Sequence, residues 1–438
     1  MKDISRRDFL KYLGVGTLGL IAKPKIPFAE IAEGFRSSDV IQCFHEDATT
    51  GNTINQAVVQ IMMDESIKHL TGIDEVGEAW KSIFPGIIEN NIIGIKVNVI
   101  NEYLPTHREF VNCIVNGLAQ MEFNGSSFRK NNIIIWDRTD WELTDAGYTI
   151  YTGNDPNTPR CFGTNHSGIG YDYAQPLNVN GVNSYPSTIL SEMSDYLINA
   201  AVLKNHDTAQ VTLCMKNHYG TIHNPGSLHG GWCNPYLPSL SQQIRDVITP
   251  NNIQRIFIVD SLWGSILAGP GGSPNCTPNK LLMSLDTVAC DYRGWELINE
   301  ERVAHGWNPI SWPIHHIETA AQPPYDLGST DVNLIEINNP SQIKEFETVT
   351  PSRRTIQIAP NPFRENTTIA FSMPKASPVH IDLVDAAGRI RDRIFAGDLP
   401  HGQHRINYRL QKRLTSGSYF VRLYRNGESI VRKITILN

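Results

Sequence analysis

The chain carries two hydrophobic periods, one after the other. From Val40 to about Asn338, apolar runs of strand length alternate with segments whose apolar residues recur every three or four positions. "IIGIKVNVI" (Ile92 to Ile100) predicts a buried strand, and "THREFVNCIVNGLAQMEF" a helix with Phe110, Ile114, Val115 and Leu118 on one face. "NIIIWD" predicts the next strand, and a loop-rich insertion with a hairpin turn at Asn180-Gly181 follows to about Ser194. "YLINAAVLKNH" and "QRIFIVDSL" predict two further strands. "KLLMSLD" then leads into the helix "DTVACDYRGWELINEERVAHG", with Asp286 at its N-cap. This order predicts an α/β fold, a mostly parallel doubly wound sheet with helices on both faces. Near the end the period falls to two. "VHIDLVD", "HRINYRL" and "SYFVRLYR" each alternate apolar and polar residues, among six or seven short runs separated by Pro, Gly and Asn. They predict a small all-β antiparallel sandwich over 355–438, joined to an α/β domain at 40–338 by a linker at 339–354.

The polar residues that interrupt the apolar strands locate a candidate site. In parallel sheets, ligands bind beyond the carboxyl ends of the strands. Lys96 and Asn98, Asp137, Lys204 and His206, and Asp260 are expected at that one rim. A lysine inside "IIGIKVNVI" must snorkel, pair or bind something, because an isolated buried ammonium is too costly.

Charge changes the picture at the second domain. From Arg353 onward the chain holds 15 Lys and Arg against 6 Asp and Glu, whereas the preceding residues hold 23 against 38. A basic unit follows an acidic one. The acidic body speaks against nucleic acid as a partner. No run of 18 apolar residues occurs, so no transmembrane span is expected. The seven cysteines are scattered and contain no C-x-x-C pair, which argues against a ferredoxin-type iron–sulfur cluster or a Cys-rich zinc site. Neither a G-x-S-x-G elbow nor a P-loop is present, and the region of alternating strands and helices holds no G-x-G-x-x-G run.

Several motifs then occur in a fixed order: "IGIKVN", "PTHREFVNCIVNGL", "IIIWD", "LINAAVLKNHDTAQVTLCMKNHYG", His229, "FIVDSLWG" with "GPGGSP", and "SLDTVACDYRGWELI". Together they resemble the bacterial and archaeal family known as domain of unknown function 362, over about Asn91 to Gly306. The family's I-K-P-N corresponds to Ile95-Lys96-Val97-Asn98, its K-T-H to Lys204-Asn205-His206, and its lysine-asparagine pair to Lys216-Asn217. The resemblance implies the α/β fold but no reaction. Some members append a ferredoxin-like double cluster, for which this chain lacks the cysteines. The binding candidates are Lys96, Asn98, His107, Lys204, Lys216, Asn217, Asp260, Gly271 and Gly272.

The stretch from Ala201 to Cys233 holds His206, His218, His223 and His229 within 24 positions, where a random stretch of this composition would hold about one. Three readings stay open. His206, His218 and His229, with Asp137 or Asp260, could ligate a single zinc, iron or nickel ion. Alternatively Lys96, Lys204 and Lys216, with the backbone N–H groups of "AGPGGSP", could cradle a carboxylate or phosphate. The third reading is a set of satisfied polar residues bridging loops. His223 reads as a turn residue, and His315-His316 as helix surface. In the catalytic reading, His206, His229 and Asp137 are the acid/base candidates.

The N-terminal "MKDISRRDFLKYLGVGTLGLIAKPK" resembles a twin-arginine export signal, S-R-R-x-F-L-K, ending near residue 29. Carriers of such signals cross the membrane already folded, often with a cofactor loaded. The terminal domain resembles the C-terminal sorting domain of type IX secretion through "PNPF", "DAAGR", "GQH" and "SGSYFVRL"; a fixed accessory sandwich is the alternative. Together these imply the twin-arginine translocase and outer-membrane secretion machinery as partners. The destination is then the periplasm, the cell surface or the medium. The expectation is an exported α/β enzyme, dependent on a metal ion or other cofactor and with redox chemistry as the leading class, that acts on an anionic small molecule. The rival is a non-catalytic binding protein displayed at the surface.

Overall fold

A computed structural model describes residues 38–341, apart from 249–252 and 268, and residues 356–437, apart from 374, 386–388, 411–413 and 426–427. The predicted leader lies outside the described residues, as does the predicted linker after residue 341. The chain divides into two compact units, within residues 1–342 and 343–438.

In the first unit the apolar runs become β1 (Asp39–Phe44), β2 (Ile93–Lys96), β3 (Ile133–Trp136), β4 (Arg160–Cys161), β5 (Tyr196–His206), β6 (Gln210–Thr212), β7 (Gln254–Ser265), β8 (Lys280–Ser284) and β9 (Asn333–Asn338). They form one sheet in the order β9-β1-β8-β7-β5-β2-β3-β4, with β6 folded back on β5. The central strands β7, β5, β2, β3 and β4 run parallel. Only β8 and the short β6 oppose them, since β8 pairs antiparallel with both β7 and β1, and β9 is parallel to β1. β5 is buried from Leu197 to His206, as expected of a central strand covered on both faces.

Helices cover both faces. Helix α1 (Gln56–Thr71) and α2 (Arg108–Leu118) lie on one, sharing a core with Ile95, Ile133, Ile198 and Ile258. The expected face of α2, Phe110, Ile114, Val115 and Leu118, is buried in that core. On the other face, α3 (Cys214–Asn217) and α5 (Thr287–Ala304) share a core with Leu203, Phe257, Val259 and Leu282, and α4 (Tyr236–Asp246) packs beside Trp136 and Leu197. Asp286 caps α5 by accepting from the Val288 and Ala289 amides at 2.8 and 2.9 Å. The Asn180-Gly181 turn joins Leu177–Val179 to Val182–Ser184, both turn residues having positive φ as a two-residue hairpin requires. His315-His316 departs from expectation. His316 is buried, because its short helix turns Ile314, Ile317 and Ala320 into the α5 core and carries that imidazole inward.

In the second unit every strand pair is antiparallel. Ile356–Ala359, Asn366–Met373 and Gly402–Arg409 form one sheet, and Ile390–Leu399, Ser377–Val384, Gly417–Arg425 and Glu428–Ile436 the other. Ile369, Phe371 and Tyr408 of the first share one apolar core with Ile381, Leu383, Val421 and Leu423 of the second, the arrangement of a β-sandwich. Among the described residues, no helix is long and apolar enough to cross a membrane.

Candidate functional site

At the carboxyl ends of β2 and β3 the chain leaves the sheet and opens a cavity of about 280 Å3. Lys96, Asn98 and Asp137 reach it from the strand ends, and His206 from the end of β5. Lys216, Asn217, Tyr219 and Gly220 come from α3 and the turn after it, and His229 from the next turn. The rim is therefore shared by segments far apart in sequence, as a parallel sheet dictates.

An ion pair forms the floor. Lys96 Nζ lies 2.7 Å from Asp137 Oδ1 and donates also to Val97 O at 2.6 Å and Asn217 Oδ1 at 3.2 Å. All three ammonium hydrogens are thereby used. Asp137 is equally committed, accepting from the Arg138 amide at 2.9 Å and the Val99 amide at 3.0 Å. Burial pulls the Lys96 ammonium below its ordinary pKa, and Asp137 opposes that. This acid/base candidate is thus the charge partner of Lys96, with Oδ1 taken by two donors and Oδ2 by one.

Gly220 closes over this pair. A β-carbon there would stand 2.5 Å from Asp137 Oδ1 and 2.6 Å from Lys96 Nζ, atoms that their hydrogen bonds hold in place. Gly220→Ala is expected to destabilise the α/β unit by about 1–3 kcal/mol in denaturant unfolding. Gly226→Ala, on the same cavity but facing open space, is expected to leave it within about 0.5 kcal/mol.

Lys216 is placed differently. The N-terminus of α3 is fixed by Asp291 of α5, which accepts from the Cys214 and Met215 amides at 2.7 and 3.0 Å. Burial pushes the Asp291 carboxyl up to about 7 although those amides pull it down. Lys216 Nζ then sits 3.9 Å from the centre of the Tyr219 ring and donates to His229 Nε2 at 3.1 Å. No other hydrogen bond or ion pair of this ammonium exists among the described residues. Burial lowers its pKa to about 8. His229 donates from Nδ1–H to Pro225 O at 3.0 Å, which leaves Nε2 unprotonated and able to accept from Lys216. His206 has the opposite tautomer. Its Nδ1 accepts from the Thr208 and Ala209 amides at 3.0 and 3.1 Å, so the proton resides on Nε2. Burial, with Lys216 and His229 beside it, depresses the His206 pKa to about 3 and keeps the ring neutral.

Two further residues line the cavity that the strand pattern did not single out. Arg138 follows Asp137 directly, and its guanidinium makes no hydrogen bond or ion pair among the described residues, even though Nε is buried. Glu142 stands near it, with Oε2 accepting from Thr139 Oγ1 at 2.7 Å and a carboxyl pKa raised by burial. The cavity thus carries Lys96, Arg138 and Lys216 against Asp137 and Glu142, three cations to two carboxylates.

Residues 93–296 match the family model described as "Domain of unknown function (DUF362)". This segment belongs to that family. It contains every cavity residue named above, from Lys96 to His229, so the site belongs to the DUF362 domain itself. Residues 357–437 match the model "Secretion system C-terminal sorting domain", which makes the chain an exported protein and points to outer-membrane secretion machinery. No curated protein matches the chain. Among solved structures, a Pseudomonas fluorescens alkylpurine DNA glycosylase AlkC bound to DNA is 15% identical, over 19% of this chain and 30% of that one, with a TM-score of 0.14. An engineered protein is 9% identical over 87% of this chain and 84% of its own, with a TM-score of 0.17. Neither likeness bears on fold or function.

Other expected members of the DUF362 site lie elsewhere. Lys204 is buried one residue behind the cavity wall, donating to Asn98 Oδ1 at 3.1 Å, and burial brings its pKa down to about 7. Asn98 and Asn217 are its link to Lys96, through a long 3.4 Å contact between the two amides. Asp260 does not line the cavity, because β7 continues past it to Ser265 and leaves it inside the strand. There it accepts from both the backbone N–H and Nδ1–H of His107, at 2.9 and 2.7 Å, which accounts for His107 as well. From the glycine loop, Pro270 meets the cavity rather than Gly271 or Gly272, and proline has no N–H to offer an anion. The carbonyls of Pro270 and Gly272 are tied instead to Asn101 Nδ2. His223 stays outside, packed on Tyr185 and accepting from its amide at 3.0 Å.

The three imidazoles named for a metal ion do not assemble. His218 is buried against Gln254 and Asn199 on the far side of α3, away from the cavity. The His206 and His229 rings stack with centroids 6.0 Å apart. A metal needs nitrogen lone pairs, yet His206 turns its N–H outward and His229 spends its lone pair on an ammonium. Among the described residues, no group of three or more His, Cys, Asp or Glu side chains is arranged to hold a metal ion. The donor set does not fit a resident ion.

Proposed function

We propose that the DUF362 domain of this exported protein binds a small carboxylate or phosphate in the cavity at the strand carboxyl edge, as the substrate of an enzyme. The observation that carries the reading is the pairing of an unpartnered Arg138 guanidinium with a Lys216 ammonium that has two unused hydrogens, both on one cavity. A buried ammonium with no carboxylate partner, and a guanidinium that has Glu142 nearby but makes no hydrogen bond, are costly, and a bound anion would satisfy them. The neutral His206 offers Nε2–H as a third donor, while the Lys96–Asp137 pair keeps the nearest carboxylate from repelling the ligand. Lys216 and His229 share a hydrogen bond through which a proton can pass, which supports acid/base chemistry over simple storage. Isothermal titration of the purified chain with inorganic phosphate and with short mono- and dicarboxylates tests the reading. Saturable heat with one of them is expected, and no heat with any of them would overturn it.

The route of export is part of the same proposal. The "SRRDFLK" signal supports passage through the twin-arginine translocase, in which the paired arginines are the recognition element. Replacing Arg6 and Arg7 together by lysine is expected to hold the precursor in the cytoplasm, as read by cell fractionation.

A further inference from the structure

We propose that Lys216 is a nucleophilic amine that forms an imine with a small oxo acid, whose carboxylate docks on Arg138. This rests on the anion reading of the cavity and names the substrate class. Three lysines approach the rim, and their surroundings separate them. Lys96 has every hydrogen bonded and a carboxylate at 2.7 Å, so its nitrogen lone pair is out of reach. Lys204 is fully buried behind Asn98 and does not line the cavity. Lys216 alone of the three lines the cavity without a carboxylate partner among the described residues, over the face of Tyr219 and against an imidazole nitrogen that can take a proton. Its lowered pKa, about 8, leaves an appreciable fraction of free amine at neutral pH.

The step balances without a co-reactant. Lys216 passes a proton from Nζ to His229 Nε2 along their existing hydrogen bond, and the freed lone pair attacks the carbonyl carbon of the oxo acid. The C=O π electrons move to oxygen, which takes a proton from the attacking nitrogen to give a neutral carbinolamine. The His229 imidazolium then protonates the hydroxyl, the C–O bond breaks, and water leaves as the nitrogen lone pair forms the C=N bond. One ammonium and one carbonyl thus become one iminium and one water, with His229 restored. An aldehyde or ketone bearing a carboxylate fits because Arg138 offers a planar pair of donors to the carboxylate while Lys216 meets the carbonyl.

The test uses the full chain, pyruvate and sodium cyanoborohydride, which reduces an iminium to a stable secondary amine, followed by peptide mass spectrometry. The expected result is an adduct concentrated on Lys216, absent in Lys216→Arg, and reduced in Arg138→Met. Acetone, which has the carbonyl but no carboxylate, is expected to label Lys216 weakly and to be indifferent to Arg138→Met. Labelling of Lys216 no greater than that of the exposed Lys375 would overturn the proposal. Calorimetry with lactate, which keeps the carboxylate and lacks the carbonyl, reads the anion site separately. Lactate binding without a Lys216 adduct would sink the imine and leave the anion site standing. An absence of lactate and pyruvate binding together with absence of the adduct would sink both.

Discussion

Lys96→Met is expected to destabilise the α/β unit by about 3–5 kcal/mol, the usual cost of removing one partner from a buried ion pair. Asp137 would remain 4% exposed with a charge facing an apolar side chain. The double variant Lys96→Met with Asp137→Asn is expected to recover a substantial part of that loss, because no buried charge is left behind. Denaturant unfolding of the wild type, the single variant and the double variant at neutral pH reads both effects. Equal stability of the wild type and Lys96→Met at neutral pH would show that the pair contributes nothing to the floor of the cavity.

For ligand binding, the largest effect is expected from Arg138→Met. Hydrogen bonds to charged groups contribute about 1.5–3 kcal/mol, so affinity for the cavity's anion should fall about 10- to 100-fold. Lys216 adds a pH signature. Below about 8 its ammonium is present and attracts the ligand; as pH rises through that value the charge is lost and affinity should decline. Of the other groups near the site, Lys204 and Asp291 titrate at about 7 but are buried off the cavity, on Asn98 and on the Cys214 and Met215 amides. His206 is depressed to about 3, His229 is held below its ordinary value, and burial raises both Tyr219 and Cys233. Lys216→Met is therefore expected to abolish the pH step and lower affinity at neutral pH, whereas Arg138→Met should lower affinity and keep the step. Titration calorimetry at several pH values separates them. A step that survives in Lys216→Met would assign the charge to another group.

Much of this architecture was legible in the sequence because it depends on local periodicity. Runs such as "IIGIKVNVI" and "YLINAAVLKNH" are apolar on both faces, a pattern that suits only a strand covered on two sides, and their alternation with helical segments implies parallel strands. The parallel arrangement then brings the polar ends of β2, β3 and β5 to one edge, so that Lys96, Asn98, Asp137 and His206 meet at a cavity. The Asp286 cap and the Asn180-Gly181 turn were readable for the same reason, since each rests on residues a few positions apart.

What the tertiary structure alone decided is which of these polar groups are free. Lys96 and Lys204 are both lysines ending apolar strands, yet one meets Asp137 and the other Asn98, partners that lie 41 and 106 residues away in sequence. His218 is consecutive with the cavity residue Asn217, but the turn of α3 directs it to Gln254 on the opposite side. Asp260 was placed at a strand end that in fact runs on to Ser265. Arg138 carried no local signal beyond following a strand-terminal Asp, because a guanidinium's function depends on the absence of a partner, and absence is a property of the whole surrounding space. Sequence periodicity determines which way a backbone runs and where its polar ends collect. Whether a charge collected there is spent on a neighbour or left open to a ligand is set by long-range packing, because side-chain hydrogen bonds reach only about 3 Å and depend on segments that folding alone brings together.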